Sequence, residues 1–253
     1  MLKDIAWPSG LTSLDIPEIN GDPMFHCPSL TQLKYAIDLR KNNGFLDCCN
    51  LLPESLIRLE LINSNNPHRN DVIPLAMSLR LTNLQSLTLF DLCVSASEIK
   101  ALPAILETFI LDLLNTDFNS RHFRALPRSL THLDVSFHDL IKEGKERALN
   151  YAQLPPMLRV LHLHAFGQPQ DAPITLKEMK YLPSSIMCLS IPTNLSSEVV
   201  QALPPQLIEL KTSPGMISYS DLKYLPQLRN VDIFIKLSRR ESSVGNFRCT
   251  SAD

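Results

Sequence analysis

Aliphatic residues fall along the chain in short blocks of the form L-x-x-L-x-[LVI], and six of these blocks open with Leu-Pro. They are Leu52-Pro53 with Leu56, Leu59 and Leu61; Leu102-Pro103 with Leu106, Phe109 and Leu111; and Leu126-Pro127 with Leu130, Leu133 and Val135. Leu154-Pro155 leads to Leu158, Leu161 and Leu163, Leu182-Pro183 to Ile186, Leu189 and Ile191, and Leu203-Pro204 to Leu207 and Leu210. Looser copies begin at Leu11, Leu30, Leu84 and Leu228. The ten blocks therefore start at 11, 30, 56, 84, 106, 130, 158, 186, 207 and 228, with successive intervals of 19, 26, 28, 22, 24, 28, 28, 21 and 21 residues. In most blocks the last two apolar positions are two residues apart with polar residues around them, the pattern of a strand buried on one face.

A second apolar signal precedes the Leu-Pro pairs. Three residues before the leucine stand Ile99, Phe123, Met179, Val200 and Leu222, and a hydroxyl residue (Ser97, Ser120, Thr175, Ser196, Ser220) lies five to seven residues before it. This pattern predicts a short N-capped helix with an inward apolar stripe. The proline then ends the helix, because the residue before it is biased away from helical backbone. Each unit reads as strand, loop, short helix and Leu-Pro turn. A single such unit leaves both sides of its leucines in water, so the units must stack. The prediction is an α/β solenoid with a parallel sheet of about ten strands.

All intervals but the first fall within the 20–29 residues of a leucine-rich repeat. The L-x-x-L-x-[LVI] blocks, and their LP-x-x-L-x-x-L form in particular, resemble the leucine-rich repeat family, with a spacing similar to repeats of bacterial effectors and of protists. The resemblance covers about residues 7 to 237. It implies a horseshoe with the sheet on its concave side, short helices on its convex side, and a non-enzymatic role in binding another protein. Two departures stand out. The family's asparagine, eight residues after the first leucine, is matched by Asn194 alone. No domain like the catalytic one of effector ubiquitin ligases follows residue 237, so that activity is not carried over. The alternative function is the substrate-recognition arm of a larger ubiquitin ligase or of a secreted bacterial effector. Residues 1–237 read as the repeat domain and 238–253, poor in apolar residues, as a disordered tail.

Composition narrows this further. Leucine supplies 44 of 253 residues, but the 7 glycines stand singly, so no glycine-rich phosphate loop is present. The net charge of −2 gives no electrostatic footprint for nucleic acid or an anionic membrane, and neither is expected as a partner. Six cysteines form no CxxC pair, and the amino terminus has no signal-like apolar run, which suits a reduced, cytoplasmic setting (a host cytoplasm for a secreted effector). Only Ile5, Trp7 and Pro8 precede the first block. Because a solenoid end needs a cap, either the chain continues upstream in a longer protein or Trp7 folds over the first repeat.

In this repeat the second, fourth and sixth residues after the first leucine are expected on the open face of the sheet. Across the chain they carry three basic and six acidic residues, which argues against a phosphate backbone as ligand. Two groups stand out on that face. Ile62, Phe90 and Ile110 are apolar on three consecutive repeats and are candidate anchors for a protein partner, unless a loop covers them. Asp112, His132, Asp134, His162 and His164 form an ionisable group, in which Asp134 is expected to face His162 across adjacent strands. The preferred reading is a solvated polar patch used for protein contacts. Zinc held through the His162-x-His164 spacing comes second, and His–Asp catalysis with Ser136 beside His164 third. No cofactor is expected.

Overall fold

Each leucine block forms one strand. The strands are β1 (Ser13–Ile16), β2 (Gln32–Ile37), β3 (Arg58–Asn63), β4 (Ser86–Phe90), β5 (Thr108–Asp112) and β6 (His132–His138). They continue as β7 (Val160–Phe166), β8 (Cys188–Ile191), β9 (Glu209–Thr212) and β10 (Asn230–Phe234), with β11 (Asn246–Thr250) at the end. The computed structural model describes residues 8–16, 27–37, 52–63, 81–92, 94–112, 120–138, 150–166, 175–191, 195–212, 223–225, 230–234 and 246–250. All strands lie in one sheet in chain order, and every pairing from β1 to β10 is parallel.

The register aligns the leucines into columns. Leu33, Leu59, Leu87, Phe109, Leu133, Leu161, Leu189 and Leu210 are neighbours across successive strands, and Tyr35, Leu61, Leu89, Leu111, Val135 and Leu163 make a second column. All of these side chains are buried, as are the block-opening residues Leu30, Leu56, Leu84, Leu106, Leu130, Leu158, Ile186 and Leu207. Apolar area removed from water by stacking, at about 25 cal/mol per Å², is the main force holding one repeat to the next.

The Leu-Pro turn has a fixed form. The carbonyl of Pro53, Pro103, Pro127, Pro155, Pro183 or Pro204 accepts from the amide three residues on, which belongs to the block's first aliphatic residue. Pro8, Cys27 and Leu81 do the same in the looser copies. After the turn comes a backbone ladder at the start of the strands, one residue past each block's first aliphatic residue. The carbonyl oxygens of Thr12, Thr31, Ile57, Gln85, Glu107, Thr131, Arg159 and Met187 each accept two amide protons from the next repeat, at 2.8–3.1 Å. Three turn serines add cross-links: the hydroxyls of Ser55, Ser129 and Ser185 donate to the carbonyls of Leu30, Leu106 and Leu158 at 2.6–2.7 Å.

Opposite the sheet lie short helices: α1 (Ala96–Lys100), α2 (Ser120–Ala125), α3 (Leu176–Met179) and α4 (Ser197–Gln201). Ile99, Phe123, Met179 and Val200 point their predicted stripe into the core. Thr175 and Ser196 cap their helices as expected. The cap of α1 is Ser95 rather than Ser97, because Ser95 and Glu98 form a reciprocal capping box, and Ser97 bonds only sideways to the Ser95 hydroxyl at 2.8 Å. Ser120 is the first residue of α2 rather than its cap. Ahead of the block at Leu158, Asn150 caps a single 3-10 turn, Tyr151–Gln153, and Tyr151 takes the inward position with its ring 6.2 Å from that of Phe123.

The carboxyl-terminal end carries one further strand. Within the stretch 238–253, Asn246–Thr250 forms β11, paired antiparallel to β10 from Asn230↔Thr250 to Phe234↔Asn246. An edge strand offers a row of unpaired backbone groups, and an added strand satisfies them without needing an apolar sequence. Trp7, Cys48, Cys49, Ser220, Leu222 and residues 64–70 and 139–149 lie outside the described residues. Among the described residues no helix is long and apolar enough to cross a membrane.

Candidate protein-binding face

The sheet's outer face is built from the residues between the buried leucines, and the register sorts them into rows. The middle row runs Asp15, Lys34, Glu60, Thr88, Ile110, Asp134, His162, Ser190 and Lys211. The adjacent row runs Ala36, Ile62, Phe90, Asp112, Ser136 and His164. Charged pairs flank the centre: Lys34 Nζ lies 2.7 Å from Glu60 Oε1, and Lys211 Nζ lies 2.7 Å from Glu209 Oε1.

Ile62 and Phe90 are register partners, half-buried and side by side. Ile110 is half-buried too, but it stands in the middle row opposite Thr88 and Asp134, two residues before Phe90's own partner, Asp112. The apolar surface is thus a pair with a diagonal neighbour, bordered by charge. Just beyond Phe90, Asp91 has a backbone φ of 54°, a left-handed conformation that aspartate tolerates better than most residues. Its amide donates to the Asp112 carbonyl at 2.8 Å, and the Asn63 side-chain amide donates to the Asp91 carbonyl at 3.1 Å. Burial and the like charge of Asp112 push the Asp91 carboxyl up.

The ionisable group assembles around Asp134. Its carboxylate accepts from His162 Nδ1 at 3.1 Å through one oxygen and from His164 Nε2 at 3.2 Å through the other. Alternation puts His162 and His164 on the same face of β7, two residues apart, with ring centroids 6.0 Å apart. His132 precedes Asp134 by two on β6, and its ring lies 5.8 Å edge-on from that of His162. Burial works against charge on Asp134, but the hydrogen bonds from His162 and His164 outweigh it and hold the carboxyl well below the usual carboxylate range. An ionised carboxylate only accepts, so each bonded imidazole nitrogen carries the proton. His132 is pushed down, by burial first and by His162 second. The Asp134 hydrogen bond pushes His164 up, against burial.

Two outer-face positions differ from expectation. Ser136 and Ser190 are 6% and 8% exposed, because each short side chain stands between longer neighbours, Asp112 and His164 for one, His162 and Lys211 for the other. Ser136 is in register with His164 yet recessed beneath it, a poor position for a nucleophile. The metal-ligand grouping also differs: donor atoms of His132, Asp134 and His162 lie within 4.8 Å of one another, whereas the His162-x-His164 pair is not the group that converges. At the far end Cys188, not singled out by its sequence context, is half-buried beside Glu209; burial and then that carboxylate push its thiol up.

No protein-family model matches the sequence, and no curated protein matches it. Solved structures do. The crystal structure of the leucine-rich repeat-containing protein LegL7 from Legionella pneumophila is 19% identical, with a TM-score of 0.52 over 87% of this chain and 80% of that one. The chain has the leucine-rich-repeat fold. CroV588, described as a novel circular leucine-rich repeat protein, is 20% identical with a TM-score of 0.47, covering 91% of this chain and 34% of that one. The repeat protein's outer face is therefore the concave, sheet side of its solenoid.

Proposed function

We propose that this repeat protein is a non-enzymatic scaffold that binds a protein partner across its concave face. The contact residues in this reading are Ile62, Phe90, Ile110, Asp112, His132, Asp134, His162 and His164. The observation that carries it is the half-buried Ile62–Phe90 pair in register on an open sheet face, where water-facing strand positions ordinarily hold polar residues. Aromatic and aliphatic anchors surrounded by charge have the anatomy of an interaction hot spot. The flanking charges, with Glu60, Asp112, Asp134 and Glu209 exceeding Lys34, Arg58 and Lys211, favour a partner with a basic rim.

The test is capture of partners with the purified protein and with two sets of variants. Phe90→Asp and Ile110→Asp alter the concave face, whereas Lys100→Glu and Lys177→Glu alter the helical side. Loss of the captured protein with the first pair and its retention with the second supports the reading. Equal capture by all four overturns the siting.

A further inference from the structure

From the convergence of His132, Asp134 and His162 on adjacent strands, we infer that the concave face holds a site for a divalent transition metal of the zinc class. Three donor atoms from these residues lie within 4.8 Å of one another. The strands bring these residues side by side. His132 and Asp134 are two apart on β6, and so share a face, while His162 is the register partner of Asp134 on β7. Tetrahedral zinc with bonds of ~2.0–2.1 Å separates its ligand atoms by roughly 3.3 Å. His162 Nδ1 and Asp134 Oδ2 are already 3.1 Å apart, so an ion replacing the proton between them requires only a small shift.

The donor chemistry selects the ion. Two imidazoles with one carboxylate suit zinc, cobalt, nickel or copper, whereas magnesium and calcium call for all-oxygen sets. The side chains are also held part-way out of water, with His162 at 21% and Asp134 at 24% exposure. An ion there meets little competition from bulk solvent on its inner side. Three protein ligands leave the fourth position toward the open face, where water or a group from a bound protein completes the shell. His164 plays a different part. Its Nε2 bonds the other oxygen of Asp134 at 3.2 Å, which fixes the carboxylate's orientation; it is a positioning residue for the site. The inference is independent of partner binding, because it concerns the isolated chain.

The experiment is titration of chelator-treated full-length protein with CoCl2 or ZnSO4, followed by visible absorption for cobalt and calorimetry for zinc. The expected result is one saturable equivalent per chain, with a tetrahedral cobalt spectrum free of thiolate charge transfer, displaced by zinc but not by magnesium. His132→Ala and His162→Ala each weaken binding by more than the ~10–100-fold typical for loss of an outer partner, and His164→Ala by about that amount. Circular dichroism of the metal-free variants checks that they fold. Should any variant unfold, imidazole NMR signals of the wild type decide, with those of His132 and His162 perturbed on adding zinc. No saturable uptake, a thiolate-bound cobalt spectrum, or unchanged affinity in the folded His132→Ala/His162→Ala double variant overturns the inference.

Discussion

Asp134 on β6 and His162 on β7 stand opposite one another in the sheet register, with the imidazole Nδ1 3.1 Å from the carboxylate Oδ2. Both side chains retain partial contact with water, so the pair belongs with modest surface interactions. A double-mutant cycle of Asp134→Asn and His162→Ala, read by urea unfolding of chelator-treated protein, should give a coupling of about 0.5–1 kcal/mol. A coupling near zero would show that the contact does not persist in solution.

Leu133 lies in the centre of a buried column, between Phe109 and Leu161. Leu133→Ala should lower unfolding free energy by ~2–5 kcal/mol through lost transfer energy and the cavity left behind. Ile62→Ala, on the open face, should cost under about 1 kcal/mol. Comparable losses would mean that the concave face is in fact core.

The Ser129 hydroxyl donates to the Leu106 carbonyl of the preceding repeat at 2.6 Å. Ser129→Ala should therefore cost about 1 kcal/mol, within the usual range for one hydrogen bond, because a part-buried carbonyl loses a donor. Ser55→Ala and Ser185→Ala should behave alike, since their hydroxyls make the same bond to the preceding repeat at two other joints. Chemical denaturation midpoints compare the three directly.

Ser95→Ala should destabilise by ~1 kcal/mol and Ser97→Ala by much less, since only Ser95 caps α1. The two thermal unfolding curves separate the assignments. Equal shifts would return the cap to Ser97.

Burial and Glu209 both disfavour the Cys188 thiolate. The folded protein should alkylate slowly at Cys188 near neutral pH, with the rate rising only above the pH at which an ordinary thiol ionises. Glu209→Gln should accelerate it, and peptide mass spectrometry after iodoacetamide treatment reports the site. A rate matching that of the unfolded chain would contradict the stated environment.

The strands were legible in the sequence because leucine spacing and period-2 burial are the same physical fact: ten blocks yielded β1 to β10, each where its aliphatic residues repeat. Helix caps were legible only in part. A cap depends on one hydroxyl meeting one amide, and with Ser95 and Ser97 two apart the sequence leaves the choice open. The structure settles it at seven residues before the Leu-Pro leucine in Ser95, Thr175 and Ser196 alike. Tyr151 was hidden because no hydroxyl residue stands five to seven positions before Leu154 to mark a helix start. β11 shows only a short period-2 trace, Phe247 and Cys249 between polar residues, and no leucine block. At the candidate site, the Asp134–His162 contact followed from register alone. That His132 rather than His164 joins the converging donors depends on side-chain torsions, which spacing does not encode.

The paired acceptance by a single carbonyl, from Thr12 through Met187, makes each repeat a receptor for the start of the next. Since the joint is written in backbone, it does not depend on which residues the strand displays. A gene for such a chain can gain, lose or exchange whole repeats by recombination and still produce matching ends. Slippage by one residue, by contrast, would turn every leucine outward. The concave face is thereby free to diversify while the stacking rule stays constant.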